Sequence, residues 1–211
     1  KTDVQVFGDG LPKVAEIELD YSAEAGALLV TVQKGDGGEF AHYVRGEDGR
    51  FVQVTRFEDG VTHARFGPDR ALYLVSKAAA TPRGEIRRLG PGTLDLKRAT
   101  TFVPQGEDVI AVDLYDGEDS FVFLGGRMFV RYLAGGPSRV RMFDLSGAPQ
   151  GDLPWPGIAA VDEIEAVGDD LLYSVETYVA PLQFYRFADG KSVPTALKTT
   201  SPVSFDDMEV L

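Results

Sequence analysis

RMFVRYLAGGPSRVRMF (127–143) reads as two β-strands folded around a tight turn, with β-branched and aromatic residues on both arms and Gly-Gly-Pro at the bend. The same arrangement recurs as ALLVTVQKGDGGEFAHYV (27–44), ALYLVSKAAATPRGEIRRL (71–89) and DLLYSVETYVAPLQFYRF (170–187). In each copy an apolar strand centre is followed 13 residues later by another: Val30 and Tyr43, Tyr73 and Ile86, Phe129 and Met142, Leu172 and Tyr185. The first members lie 43, 56 and 43 residues apart. A repeat of roughly 40–50 residues carrying about four strands is the signature of a propeller blade. A blade cannot bury both faces of its sheet alone, so it stacks on neighbours. The fold expected is all-β: a β-propeller of four-stranded antiparallel blades, four of them complete.

Working outward, the first blade spans about 14–58, with AEIELDY and FVQVTRF flanking the central hairpin. The second spans about 60–108, from VTHARF to RATTFVP, and the fourth about 158–202, from VDEIEAV to VPTALKT. The third, about 109–157, is irregular: VIAVDLY (109–115) and SFVFL (120–124) compete to be its first strand, and GDLPWP (151–156) suits only a sheet edge. Terminal strands are expected at 4–7 (VQVF) and 205–211. No linker or low-complexity tract divides the blades, so 1–211 is read as one partial propeller domain. Leu29, Leu72, Phe129 and Leu172, on the second strand of each blade, are the expected core.

Composition fits a soluble globular all-β domain: 44% hydrophobic, 26% charged, with 24 Gly and 12 Pro. There is no apolar run long enough to cross a bilayer, and no membrane partner is expected. KTDVQVFGDG (1–10) is polar from its first residue and lacks an initiator Met, so a longer parent chain is expected. Lys plus Arg number 21 against 33 Asp plus Glu, a net charge of −12 that would repel nucleic acid. The absence of Cys removes disulfides, thiolate nucleophiles and zinc–thiolate sites, and leaves cytoplasm and periplasm equally open.

Catalytic chemistry is sought and not found. Only His42 and His63 could act as imidazole bases, both on expected strands, and no G-x-S-x-G elbow exists to present a nucleophilic Ser. DLYDGED (113–119) and VGDD (167–170) gather carboxylates on turns without calcium-loop spacing. Glu163 and Glu165 share a strand face but show no contrast of environment. FGDG and GDGG precede no helix and are not phosphate loops. Arg83, Arg87 and Arg88 form a small basic cluster, a weak candidate for an anion. No catalytic residue, cofactor or metal ligand is assigned.

Several segments resemble the propeller domain of the prolyl oligopeptidases, serine peptidases that cleave short peptides after proline. They are FGDGLPKVAEI (7–17), LLVTVQKGDGGEFAHYVRG (28–46), ALYLVSK (71–77), LAGGPSRVRMFDLSG (133–147) and VETYVAPLQFYRF (175–187). LKTTSPVSFDDMEVL (197–211) resembles the hinge where that family's propeller returns the chain to its α/β-hydrolase domain. The family's propeller has seven blades, so the resemblance implies a piece of it. It also implies that the catalytic Ser, Asp and His lie in a hydrolase domain absent from this sequence. The role implied is gating: the propeller covers the active site and admits short peptides while refusing folded proteins. By position, the resemblance further implies that Val14, Gln33 and Asp36 contact substrate. Some relatives carry Arg at the position of Gln33; Gln still donates and accepts hydrogen bonds but lacks the charge and the forked geometry.

The alternative is a free-standing propeller acting as an interaction scaffold through its loops. The coding frame beyond Leu211 discriminates the two. Under either reading an incomplete ring leaves edges open. They would be satisfied by a composite blade of VQVF and MEVL, or, as preferred here, by self-association.

Overall fold

The computed structural model describes residues 2–112, 119–154, 157–205 and 207–208. It is all-β, with four antiparallel sheets and, among the described residues, no α-helix. The chain divides into two compact units, Lys1–Pro104 and Gln105–Leu211, each holding two propeller blades.

In the first unit, β1 (Ala15–Ser22), β2 (Ala27–Lys34), β3 (Phe40–Arg45) and β4 (Phe51–Thr55) form one meander in sequence order. Strands β5 (Val61–Phe66), β6 (Leu72–Ser76), β7 (Glu85–Leu89) and β8 (Thr100–Val103) form the next. The two sheets share a core in which Leu29, Val44 and Val54 meet Val61, Ala64, Leu72, Leu74 and Leu89. The hairpins are sharp because glycines take the left-handed backbone where it is needed. Gly60, at φ +67°, is the tightest: a Cβ there would sit 3.0 Å from the Cα of Ala78, while its carbonyl accepts the Lys77 N–H at 2.7 Å.

The second unit starts with β9 (Val109–Ile110) and β10 (Phe121–Leu124), followed by β11 (Arg127–Leu133), β12 (Ser138–Asp144) and β13 (Pro149–Asp152). Both segments that competed for the first strand are used. β10 pairs with Arg127–Val130 and β9 with Tyr132 and Leu133, on the same side of β11. Arg131 joins the two pieces: its N–H donates to the Ser120 carbonyl and its carbonyl accepts from Ala111 N–H, each at 2.9 Å. Gly151 and Asp152 of GDLPWP fall on the edge strand β13, which opens at Pro149, where the missing N–H is tolerated. The last sheet is β14 (Ile164–Val167), β15 (Asp170–Val175), β16 (Gln183–Ala188) and β17 (Lys191–Lys198). Phe129, Val140 and Met142 pack against Leu171, Tyr173, Val175 and Phe187 in this unit's core.

One core expectation is corrected. Leu29, Leu72 and Phe129 are buried, but Leu172 is half-buried, and Leu171 is the core residue at 0% exposure. The hairpin between Val175 and Gln183 encloses an odd number of residues. Leu172 therefore pairs with Arg186, and Tyr173 with Tyr185. Leu172 alternates with Leu171, Tyr173 and Val175, which occupy the face turned to the core. Tyr73 and Ile86 lie on the paired strands β6 and β7, as do Val30 and Tyr43 on β2 and β3, and Phe129 and Met142 on β11 and β12.

VQVF at 4–7 forms no strand. The Gln5 amide instead bonds locally to the Phe7 carbonyl and the Asp9 carboxylate, and Phe7 packs edge-on against Tyr43 and beside Phe51. Of 205–211, Phe205, Asp207 and Met208 are described and form no strand; Met208 N–H closes a turn on the Phe205 carbonyl. The rest of that expected strand, like most of DLYDGED, lies outside the described residues.

Candidate functional site

The β2–β3 hairpin carries the expected substrate contacts, and its sequence explains its shape. β2 ends at Lys34, whose N–H donates to the Glu39 carbonyl at 2.9 Å, closing a loop in which Gly35–Gly37 makes one 3-10 turn. Gly35 and Gly38 hold φ of +56° and +71°, values that side-chain-bearing residues rarely adopt. Lys34 also pairs with Glu39 at 3.0 Å, and its ammonium lies 5.9 Å from the centre of the Phe57 ring. Both charges are about half exposed, so the pair steadies the loop only slightly.

Val14, Gln33 and Asp36 lie in or beside this hairpin, at the same end of the first blade. Gln33 is directly across from Glu16 on β1 and Phe40 on β3. Val14 immediately precedes β1, and its Cγ2 lies 3.4 Å from where a Cβ on Gly35 would sit, so it packs over the loop backbone. Asp36 is on the 3-10 turn, exposed. Val14 is 67% exposed and Gln33 half-buried. The three form a small rim at one end of the first blade: an apolar group, an amide that can donate and accept, and a carboxylate. It has no nucleophile paired with a base.

His42, one turn of the pleat from Phe40, is not a base. It is fully buried, with Nδ1 2.7 Å from Thr55 Oγ1, and its backbone N–H donates to the same oxygen at 3.0 Å. Burial, then the neighbouring His63, push its pKa down to about 3, so the ring is neutral across the physiological range. Its Nε2 is buried without a hydrogen-bond partner among the described residues, a cost the packing around it must offset.

The basic cluster is committed to the fold. Arg88 bonds the Asp69 carboxylate and the Tyr73 hydroxyl, and Arg87 donates to the Ala99 carbonyl at 2.9 Å while lying 3.8 Å from Glu85. Two of its three members are therefore already neutralised or spent on backbone. In the VGDD turn, Asp170 pairs with Arg186 at 3.0 Å. Glu163 and Glu165 are both exposed. Among the described residues no three His, Cys, Asp or Glu side chains are placed to share a metal ion.

No family model matches the sequence, and no curated protein does. Solved structures match well. One comes from a structural and mechanistic study of two prolyl endopeptidases: 21% identity, a TM-score of 0.76, covering 92% of this chain and 28% of that one. A prolyl oligopeptidase B from Galerina marginata, bound to a 35mer hydrolysis and macrocyclization substrate, gives 13% identity and a TM-score of 0.77 over 96% of this chain and 29% of its own. A puromycin-hydrolyzing peptidase of Mycobacterium tuberculosis gives 20% identity and a TM-score of 0.66, covering 83% and 28%. The chain thus shares the fold of a propeller segment and spans under a third of each of these proteins' length.

Proposed function

We propose that this chain is the non-catalytic propeller portion of a prolyl oligopeptidase-like serine peptidase, gating the access of short proline-containing peptides to a hydrolase domain. The observation that carries the reading is the run of four consecutive four-stranded blades, in order, matching propeller segments of prolyl endopeptidases and oligopeptidase B over most of its length. The hinge-like sequence 197–211 and the rim of Val14, Gln33 and Asp36 support it further. In this reading the hydrolase domain is the partner and supplies nucleophile, base and oxyanion donors, while the propeller contributes exclusion and a few contacts. Gln33 would hydrogen-bond substrate backbone, Asp36 would attract an amino terminus, and Val14 would shelter both from water.

The test begins with the coding frame beyond Leu211. A frame continuing through G-x-S-x-G and a later His, whose product cleaves short proline peptides but spares a folded protein carrying the same sequence, supports the proposal. In that product Gln33→Ala should raise KM several-fold with kcat little changed, because a contact made equally in ground and transition states acts on binding alone. A frame that stops at Leu211 overturns it and leaves the interaction scaffold.

A further inference from the structure

In the second unit, three backbone segments enclose a depression of about 470 Å³ at the end of the sheets where second and third strands are joined. They are the β11–β12 turn with Gly136 and Pro137, the connection entering β14 with Ile158, and the start of the β15–β16 hairpin with Glu176 and Tyr178. The walls are fixed by backbone bonds. Ala160 and Glu176 exchange hydrogen bonds at 2.8 and 3.0 Å, and the Ser138 N–H donates to the Ala159 carbonyl at 2.9 Å. Ser138 Oγ takes the Val161 N–H at 2.9 Å, and Thr177 Oγ1 takes those of Val179 and Ala180. A depression held this way is preformed, so a ligand need not order it.

Its lining is apolar with a charged lip. Ile158 is 48% exposed and Tyr178 94%, a ring held almost wholly in water at the rim. Glu176 is exposed and has no ion-pair partner among the described residues, and neither have Asp162 and Glu163, exposed on the connection just beyond Val161. The wider field has the same sign. The first unit carries 14 Lys and Arg against 15 Asp and Glu, whereas the second carries 7 against 18, so nearly all of the chain's net −12 belongs to the second. Such a surface draws in cations and repels phosphate backbones and acidic peptides.

We propose that this depression binds an extended peptide segment presenting a Lys or Arg beside an apolar side chain. The apolar group covers Ile158 and Pro137, the cation meets the Glu176 carboxylate, and the Tyr178 ring offers it a π-face.

The experiment uses the whole chain and a fluorescein-labelled hexapeptide, Ala-Leu-Lys-Ala-Leu-Lys, followed by anisotropy. Saturable binding is expected, weakened at least tenfold when norleucine replaces both lysines, and at least fivefold by Glu176→Gln or Tyr178→Ala. Asp189→Asn removes the same charge from the opposite end of the last sheet, in the β16–β17 turn, and should leave affinity within twofold. Thermal unfolding followed by circular dichroism checks that the variants, all on the exposed rim or a turn, keep the fold. Absence of saturable binding overturns the proposal, as does equal affinity for the norleucine peptide. So does a loss in Asp189→Asn matching that in Glu176→Gln, which would mean diffuse attraction to an acidic surface.

Discussion

Arg88 grips a single oxygen of Asp69 with two nitrogens, Nη2 at 2.6 Å and Nε at 3.1 Å from Oδ2. The Tyr73 hydroxyl donates to the same oxygen at 3.1 Å, and the Ala71 N–H takes the other at 3.2 Å. Asp69 lies in the FGPDRA turn before β6, where Arg70 adopts φ +63°, so one carboxylate ties a strained β5–β6 turn to β7.

Replacing Asp69 by Ala should therefore destabilise the chain by about 1–3 kcal/mol, since it leaves Arg88 and Tyr73 without their acceptor. Partial burial pushes the Asp69 pKa up, but Arg88, the Ala71 N–H and Tyr73 outweigh it, so it lies below the usual carboxylate range. The folded pKa is below the unfolded one. The contribution is thus present above about pH 4 and fades as pH falls through the folded value. Urea unfolding of parent and Asp69→Ala at pH 7 and pH 3 checks this: the gap between them should narrow at the lower pH.

His42 sets a second pH dependence at higher pH. Its folded pKa of about 3 lies below the roughly 6.5 of an exposed histidine. Below about pH 6.5 the unfolded chain gains a proton that the folded chain refuses, costing about 1.4 kcal/mol per pH unit until the folded pKa is approached. Above it nothing changes. His42→Leu should flatten stability between pH 6.5 and 5. Unfolding midpoints at pH 7.5, 6.5 and 5.5 measure it, and an unchanged slope in the variant would refute the assignment.

Leu171→Ala should cost about 2–5 kcal/mol, and Leu172→Ala about 1 kcal/mol or less, because only the first empties a packed site. Equal costs in chemical denaturation would put the two faces of β15 on the same footing and contradict the register.

The outer strand β1 turns Ile17, Leu19 and Tyr21 to one side, each 48–65% exposed, across from Val32, Val30 and Leu28. An apolar stripe on an edge strand invites pairing. The purified chain should associate with rising concentration in sedimentation velocity, and Leu19→Lys should shift it toward monomer. One monomeric species throughout the series would exclude association.

The purified chain should leave proline-containing chromogenic peptides intact, because His42 is sealed in the core and no nucleophile elbow is encoded. Turnover surviving rigorous purification would require a site of a different kind.

The blades were legible because hairpin periodicity depends on local chemistry: glycine turns, alternating apolar residues and the compulsory pairing of backbone groups. Face was less legible where two neighbouring residues are equally apolar. The two leucines of DLLYSV look alike in sequence, and only packing shows that Leu171 joins Tyr173 and Val175 in the core. Val14, Gln33 and Asp36 are carried by the resemblance alone: only Gln33 lies on a paired strand, while Val14 precedes β1 and Asp36 sits in the loop after β2. The depression around Glu176 and Tyr178 was hidden in sequence. Its three segments are unremarkable turns until folding joins them, and the only available sign was an exposed-type Tyr in a turn flanked by Glu.

The divided first strand of the third blade makes that position a natural graft point. Because Arg131 bonds to Ser120 on one side and Ala111 on the other, the ladder along β11 runs through without a gap, whatever lies between those two residues. Chain can be lengthened, shortened or exchanged there without removing a rung from the sheet. An engineer could open the chain between Ala111 and Ser120 to create new termini.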